Sequence, residues 1–261
     1  MPDWFTCIDI QKSENQSKKS TMKLTKQIGL FVAASMLAFA CGGPSDTVET
    51  TEAQEVSEAT GQTLSLKTDE TSIAWRGYKP TGQHFGKIPA TTGSLVVADG
   101  TITGGTFTFD IPSLTIEDME AGTEDHGKLY GHLQSADFFD AANHPTATFE
   151  ITGAEPFSAS DVVEDKEEFT SDNTPNAASS LSPDAPTHWI SGNLTMRGTT
   201  KNIKFPAAVT IADGTVKAKA GFNIDRTAWG LAYGDEATAA DKAKDQFIYN
   251  TVSLVLDVTA Q

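Results

Sequence analysis

Cysteine is nearly absent from this 261-residue chain: Cys7 and Cys41 are the only two. No disulfide framework can form beyond Cys41, so burial and hydrogen bonding must hold the fold. Long apolar runs are missing too. The most apolar stretch, Ile28 to Ala40, falls short of the roughly 20 residues a membrane-spanning helix needs. Basic side chains are outnumbered, 19 against 35 acidic, for a formal net charge of −16. That balance repels nucleic acid and anionic lipid surfaces. Catalytic and metal signatures are lacking as well, with no G-x-S-x-G elbow and no H-E-x-x-H pair. The histidines at 84, 126, 132, 144 and 188 fall into no ligand spacing. Neither an enzyme nor a resident cofactor or metal is expected.

What is present begins with a leader. From Met22, "MKLTKQIGLFVAASMLAFAC" places Lys23 and Lys26 before the apolar run and small Ala40 just before Cys41. This is the three-part layout of a secretory signal peptide, with Met22 the expected start and residues 1–21 an upstream extension. A lone cysteine at the new N-terminus followed by "GGPSD" resembles a bacterial lipoprotein, in which Cys41 would be lipidated. The usual lipobox leucine is displaced by one, since Ala38 stands where it belongs and Leu37 precedes it. The alternative is a soluble secreted protein with a free thiol. Residues up to Ala40 hold five of the 19 basic and three of the 35 acidic side chains, which leaves 14 against 32, a net of −18. Membrane attachment would therefore fall to the acyl chains, of which two or more give stable anchoring. The expected location is across the inner membrane, in the periplasm or on the outer membrane, with surface display open.

Residues 41–61 are rich in Thr, Glu, Ser and Ala without apolar period, which predicts a disordered acidic tether. From residue 62 to 261 the pattern changes to short alternating runs. In "GTFTFDI", "ATFEIT", "KFPAAVTI", "VKAKAGFNI" and "IYNTVSLVLDV" apolar residues recur every second position, so one face is buried and the other solvated. "VVADGTI" and "TIADGTV" each set Asp-Gly between strand-like flanks, a hairpin signal. Helices are predicted only over 124–139 and 235–246. Residues 155–188, acidic and rich in Ser and Pro, read as an extended, mobile loop inserted between two strands. Many short strands and few helices argue for an antiparallel sandwich or barrel.

Two readings of the inward faces stay open at this point. Phe107, Phe109, Phe149, Phe205, Phe222 and Trp229 could fill a dry core. Yet Ala207, Ala218 and Ala220 share the inward phase, and small residues leave volume. The scarce cations have the same ambiguity. Arg197, Lys201 and Lys204 surround a Gly-Thr-Thr turn and Arg226 stands near Trp229 and Tyr233, where each could pair with surplus acids or meet an anionic head group.

The segments "AWRGYKPTGQHFGKI", "GTFTFDIPSLTIED", "KLYGHLQSADFFDAANHPTATFEIT", "ISGNLTMRGTTKNIKFPAAVTI" and "FNIDRTAWGLAYG" resemble the YceI-like family of periplasmic lipid-binding proteins, in the family's order and over almost the whole domain. The resemblance implies an all-β fold, an antiparallel lipocalin-like barrel of about eight strands with one or two short helices, whose pore takes a long isoprenoid or fatty amphiphile without turning it over. On it the pore-lining candidates are Trp75, Phe85, Phe107, Phe109, Leu133, Phe138, Phe149, Ile151, Phe205, Phe222, Ile224 and Trp229. The head-group candidates are His84, Arg197, Lys201 and Arg226. Within "HLQSADFFDAANHPTATFEI", Leu133, Phe138 and Phe139 would seat a helix and its exit loop, Asp140 to Asn143 would turn the chain, and His144-Pro145 would start a strand. Phe138 either faces the pore or plugs the barrel end. The implied partners are the lipid and, through the anchor, a membrane; the rival is an envelope structural or interaction module with a packed barrel and no ligand.

Overall fold

Three two-residue turns set the register of much of the sheet. Asp99-Gly100, Arg197-Gly198 and Asp213-Gly214 have positive φ at both residues, the geometry that matches the twist of the strands it joins. They link β4 (Gly82–Ala98) to β5 (Thr101–Asp110), β7 (His188–Met196) to β8 (Thr199–Ala212), and β8 to β9 (Thr215–Asp225). The computed structural model describes residues 47–159, 169–239 and 247–261. Within them β3 (Ser72–Lys79), β6 (Thr146–Pro156) and β10 (Thr251–Ala260) complete eight antiparallel strands in the order β8-β7-β6-β5-β4-β3-β10-β9. Pairing of Ala207 to Ala212 in β8 with Thr215 to Ala220 in β9 closes the barrel.

That closure covers only part of the seam. Beyond Ala220 the two strands part, and β1 (Glu49–Glu52) pairs with Lys201 to Lys204 of β8, while the Val48 amide donates to the Asn223 carbonyl of β9 at 2.8 Å. The acidic segment expected to be disordered therefore contributes a strand at 49–52. Splayed strands leave backbone groups that need partners, and this one also brings Glu52 within 2.6 Å of Lys201 Nζ. Buried Asn193 holds both backbone groups of Gln54, accepting from its amide at 3.0 Å and donating to its carbonyl at 2.7 Å. β2 (Gln62–Ser65) fills the matching place beyond the end of β3. It pairs with Ser94 to Val97 of β4, and Ser65 exchanges hydrogen bonds with Gln261.

Helix α1 (Glu124–Gln134) starts on Thr123, whose hydroxyl accepts the His126 amide, and stops five residues short of the predicted 139. Ser135 ends it by donating its amide and its hydroxyl to the His132 carbonyl. Phe138 and Phe139 thus belong to the exit loop. Asp140 takes positive φ and its carbonyl accepts the Asn143 and His144 amides, so the turn forms where "DAAN" predicts it. Of the second predicted helix, Glu236–Thr238 is a single 3-10 turn, and 240–246 lie outside the described residues, as do the leader and Cys41.

The 155–188 segment differs from expectation where it is described. Instead of extending into solvent, residues 169–182 pack on the outer wall of the barrel. The Tyr249 hydroxyl donates to the Phe169 carbonyl at 2.6 Å, Asn223 Nδ2 donates to the Asn176 carbonyl at 2.8 Å, and the four-residue helix α2 (Ala178–Leu181) lies over β9. A Cβ at Gly221 would stand 2.1 Å from the Leu181 carbonyl oxygen, so only glycine allows that approach. Phe169 joins Tyr78, Phe247 and Tyr249 in a small satellite core. Composition hid this docking, because a few aromatic and amide contacts anchor an otherwise polar segment.

Candidate functional site

Inward side chains from all eight barrel strands enclose a cavity of about 180 Å³. Its wall is almost wholly carbon, and among the described residues the only charged ones contributing to it are Lys219 and Arg226. Alanines 207, 218 and 220 all border it, so the small residues of the inward phase do leave volume. Four phenylalanines run along one side. Ring centroids are 6.3 Å apart for Phe107 and Phe149, 5.7 Å for Phe149 and Phe205, and 4.2 Å for Phe205 and Phe222, the last pair stacked. Phe149 on β6 reaches Phe205 on β8 across β7 because the intervening position is Gly192, where a Cβ would lie 2.2 Å from Phe149 Cζ.

At one end the exit loop of α1 and the 3-10 turn Arg226–Trp229 meet. Leu133, Phe138, Phe139, Leu231 and Arg226 border the cavity there. Phe138 sits edge-on to His132, and the Arg226 guanidinium lies 6.0 Å from the Phe138 ring centre. Arg226 is only 3% exposed. Its guanidinium donates to the carbonyls of Tyr249, Ile248 and Leu231. Burial pulls its pKa below the ordinary guanidinium value, and nearby Asp235, Asp225 and Glu236 push the other way. The charge persists, since arginine does not deprotonate in proteins, and it is held by carbonyls rather than by an ion pair.

Of the predicted pore-lining residues, Trp75, Phe107, Phe109, Leu133, Phe138, Phe149, Ile151, Phe205, Phe222 and Ile224 border the cavity, and two do not. Phe85 is opposite Arg76 in the β3–β4 pair and carries the Arg76 guanidinium 4.5 Å over its ring, in the strand phase opposite to Trp75 and Gly86. Trp229 is fully buried outside the cavity, with its Nε1–H donating to the Leu194 carbonyl at 2.9 Å. Among head-group candidates only Arg226 reaches the wall. Arg197 staples its turn to the carbonyls of Ala136 and Gly230. Its positive φ is thus tied to a structural task. Lys201 pairs with Glu52. His84 Nδ1 is 2.8 Å from Asp118 Oδ2, while Asp118 Oδ1 accepts the Phe85 amide. Burial would raise the Asp118 pKa, but the bonds from the Phe85 amide and His84 outweigh it and hold the carboxyl below its usual range. That dyad latches the segment after β5 to β4. Wall residues that sequence reasoning missed include Gly77, Leu194, Met196, Leu254 and Leu256. Gly77 continues the inward phase of Ile73 and Trp75, which was the available signal.

Among the described residues, no three His, Cys, Asp or Glu side chains come close enough to hold a metal ion. No helix among them is long and apolar enough to cross a membrane.

The profile of the YceI-like domain matches residues 64–260. Among solved structures, Burkholderia cenocepacia BcnA superposes with a TM-score of 0.50 at 13% identity, over 75% of this chain and 99% of that one. A polyisoprenoid binding domain from Saccharophagus degradans implicated in plant cell wall breakdown gives 0.49 at 14% identity, over 76% and 97%. The Campylobacter jejuni YCEI protein gives 0.36 at 15% identity, over 91% and 99%. No protein of curated function matches significantly.

Proposed function

Because the chain belongs to the YceI-like domain family, we propose that its barrel binds the apolar tail of a long-chain amphiphile, isoprenoid or fatty, and carries or stores it without chemical change at the bacterial cell envelope. The carbon-walled cavity inside the barrel is the observation that carries this reading. A void of that kind stays dry and welcomes hydrocarbon: an engineered apolar cavity of about 150 Å³ takes up benzene. Each buried methylene-sized unit contributes roughly 0.8 kcal/mol before ordering costs are subtracted. Tail burial therefore dominates affinity. Arg226 supplies a fixed positive charge at one end, where a polar or anionic head would be favoured.

The volume also restricts the reading. About 180 Å³ is a benzene-scale space, far below a 40-carbon tail, so a long chain must displace side chains such as Met196 and Leu256 as it enters or leave most of its length outside. Two measurements test the proposal. Protein purified from its native type of host without detergent is extracted with organic solvent and analysed by lipid mass spectrometry. A stoichiometric long-chain lipid supports the carrier; an empty extract from folded protein sinks it in favour of a packed envelope module. In the second, prenyl alcohols of increasing length are titrated. Affinity should climb with the first one or two isoprene units and then flatten where further units find no free volume.

A further inference from the structure

We propose that residues 48–54 are a removable piece of the barrel wall, and that the strand-wide seat they fill between β8 and β9 takes the part of a long hydrocarbon tail that overfills the cavity. The inference rests on the lipid-binding reading above and adds to it a lateral site and the segment that competes for it.

The seat exists because two wall strands part. From their shared turn, β8 and β9 stay paired only as far as Ala207 and Ala220. Beyond that point Phe205 and Ile203 on one strand, and Phe222 and Ile224 on the other, still border the cavity, but β1 stands between the two backbones. It pairs with Lys201 to Lys204 of β8, and the Val48 amide reaches across to the Asn223 carbonyl of β9. Neighbouring strands lie about 4.8 Å apart, so the vacated seat is as wide as one extended chain. Thr50 stands opposite inward-facing Ile203, which puts Val48 in the inward phase as well, and Val48 joins the main hydrophobic core. Two layers therefore separate the cavity from solvent here: the stacked rings of Phe205 and Phe222 inside, and the strap outside.

The strap is held in a way that lets it leave. Of residues 47–61 only Val48 is buried, while Ala53 and Val56 face solvent. The remaining hold is polar: the four-residue ladder to β8, the two bonds between Asn193 and the Gln54 backbone, and the Glu52–Lys201 pair, in which Glu52 is 88% exposed. Water replaces such bonds at small net cost, whereas a hydrocarbon chain laid in the seat would bury carbon against Phe205, Phe222, Ile203 and Ile224. Volume supplies the need, because about 180 Å³ takes a benzene-sized group and leaves the rest of a polyprenyl tail without apolar cover. The strap also precedes the span 64–260 that the family profile matches, so it lies outside the shared barrel unit.

The test uses the full chain carrying Glu49→Cys and Lys204→Cys, directly opposed positions at which a disulfide ties the strap to β8. Wild type given the same oxidant and reductant controls for Cys7 and Cys41. Two probes are titrated: benzene, which fits the cavity alone, and geranylgeraniol, whose tail does not. The oxidised variant should bind geranylgeraniol at least about tenfold more weakly than the reduced one, as if roughly two methylene-sized units stayed in water, and benzene within about twofold. In wild type the Val48 and Gln54 amides should lose hydrogen-exchange protection when geranylgeraniol binds and keep it with benzene. Equal geranylgeraniol affinity in the two redox states, or undisturbed protection of both amides in its complex, overturns the seat while leaving lipid binding intact. A matching loss for benzene overturns it as well, because the strap would then shape the cavity itself. Failure of wild type to bind geranylgeraniol overturns both this inference and the reading beneath it.

Discussion

The rings of Phe205 and Phe222 stack with centroids 4.2 Å apart and planes 15° from parallel, although the residues belong to strands that part just where the pair sits. Hydrogen bonding between β8 and β9 ends at Ala207 and Ala220. The stack holds the inner wall together where the ladder no longer does. Phe222→Ala should therefore cost about 3–5 kcal/mol, measured by urea denaturation. Ala220→Phe should act oppositely on function, since its ring would occupy the cavity: lipid recovered by mass spectrometry should fall to a small fraction of wild type while the protein stays folded. Undiminished lipid in a folded Ala220→Phe variant would remove the cavity from the argument.

Gly192 is the gap through which Phe149 reaches Phe205. An added methyl would overlap Phe149 Cζ at 2.2 Å, so Gly192→Ala must rotate or displace that ring. Overpacking of this kind costs about 1–3 kcal/mol. The expected signature is a loss of that size in thermal stability together with altered near-ultraviolet dichroism from the phenylalanines. A stable variant with an unchanged spectrum would show that the ring has other room.

Asn193 ties the N-terminal segment to the barrel by bonding both backbone groups of Gln54, and Asn202 supports it by donating to its side-chain oxygen at 3.0 Å. Asn193→Ala leaves the Gln54 groups without partners. Amide hydrogen exchange should accelerate in residues 48–54 and along the facing edge of β8 at Lys201 to Lys204, while the β4–β5 hairpin keeps its protection. Uniform acceleration would mean the segment is integral to the global fold rather than a separately opening strap.

Asp118 gives the molecule an acid-sensitive contact. Its carboxyl pKa is lowered in the folded protein from 3.8, so the folded state holds the ionised form more tightly than the unfolded chain does. The contribution is complete above about pH 4 and is lost as pH falls from there through the lower folded value. Asp118→Asn should cost about 1 kcal/mol at neutral pH, and the gap to wild type should close below pH 4 in denaturation curves taken across the acid range. A gap that stays constant with pH would assign the cost to packing alone.

Much of the architecture was legible because strand phase and turn chemistry are local. The inward series Phe107-Phe109, Phe205-Ala207-Val209 and Ala218-Ala220-Phe222 can be read by alternation alone, and the Asp-Gly pairs fall in the turns they predict. The errors have a different origin. Phe85 is an aromatic one position out of phase, and only its neighbour Trp75 across the sheet, paired with Gly86, reveals the true phase. Trp229 follows a strand whose alternation ends at Asp225, so period no longer says where it points. Lys201 and Arg197 were candidates because cations are rare, yet each is taken up by a partner far along the chain, 149 residues away for Glu52 and 61 for Ala136. The strand at Glu49–Glu52 was invisible for the same reason: its stability comes from the gap it fills, not from its own composition.

The pairing of β3 with β10 sets a limit on how quickly the barrel is made. Hairpins such as β4–β5 and β8–β9 close over two-residue turns and form early, but Trp75 meets Leu254 only across nearly the whole domain. Long-range strand pairing bears its loop-closure entropy before any contact repays it, which makes such steps slow. The cavity has no wall on that side until the final strand arrives. A newly made chain therefore exposes its inward phenylalanines until the last ten-residue strand, Thr251–Ala260, is in place, and shielding them during that interval falls to whatever receives the chain.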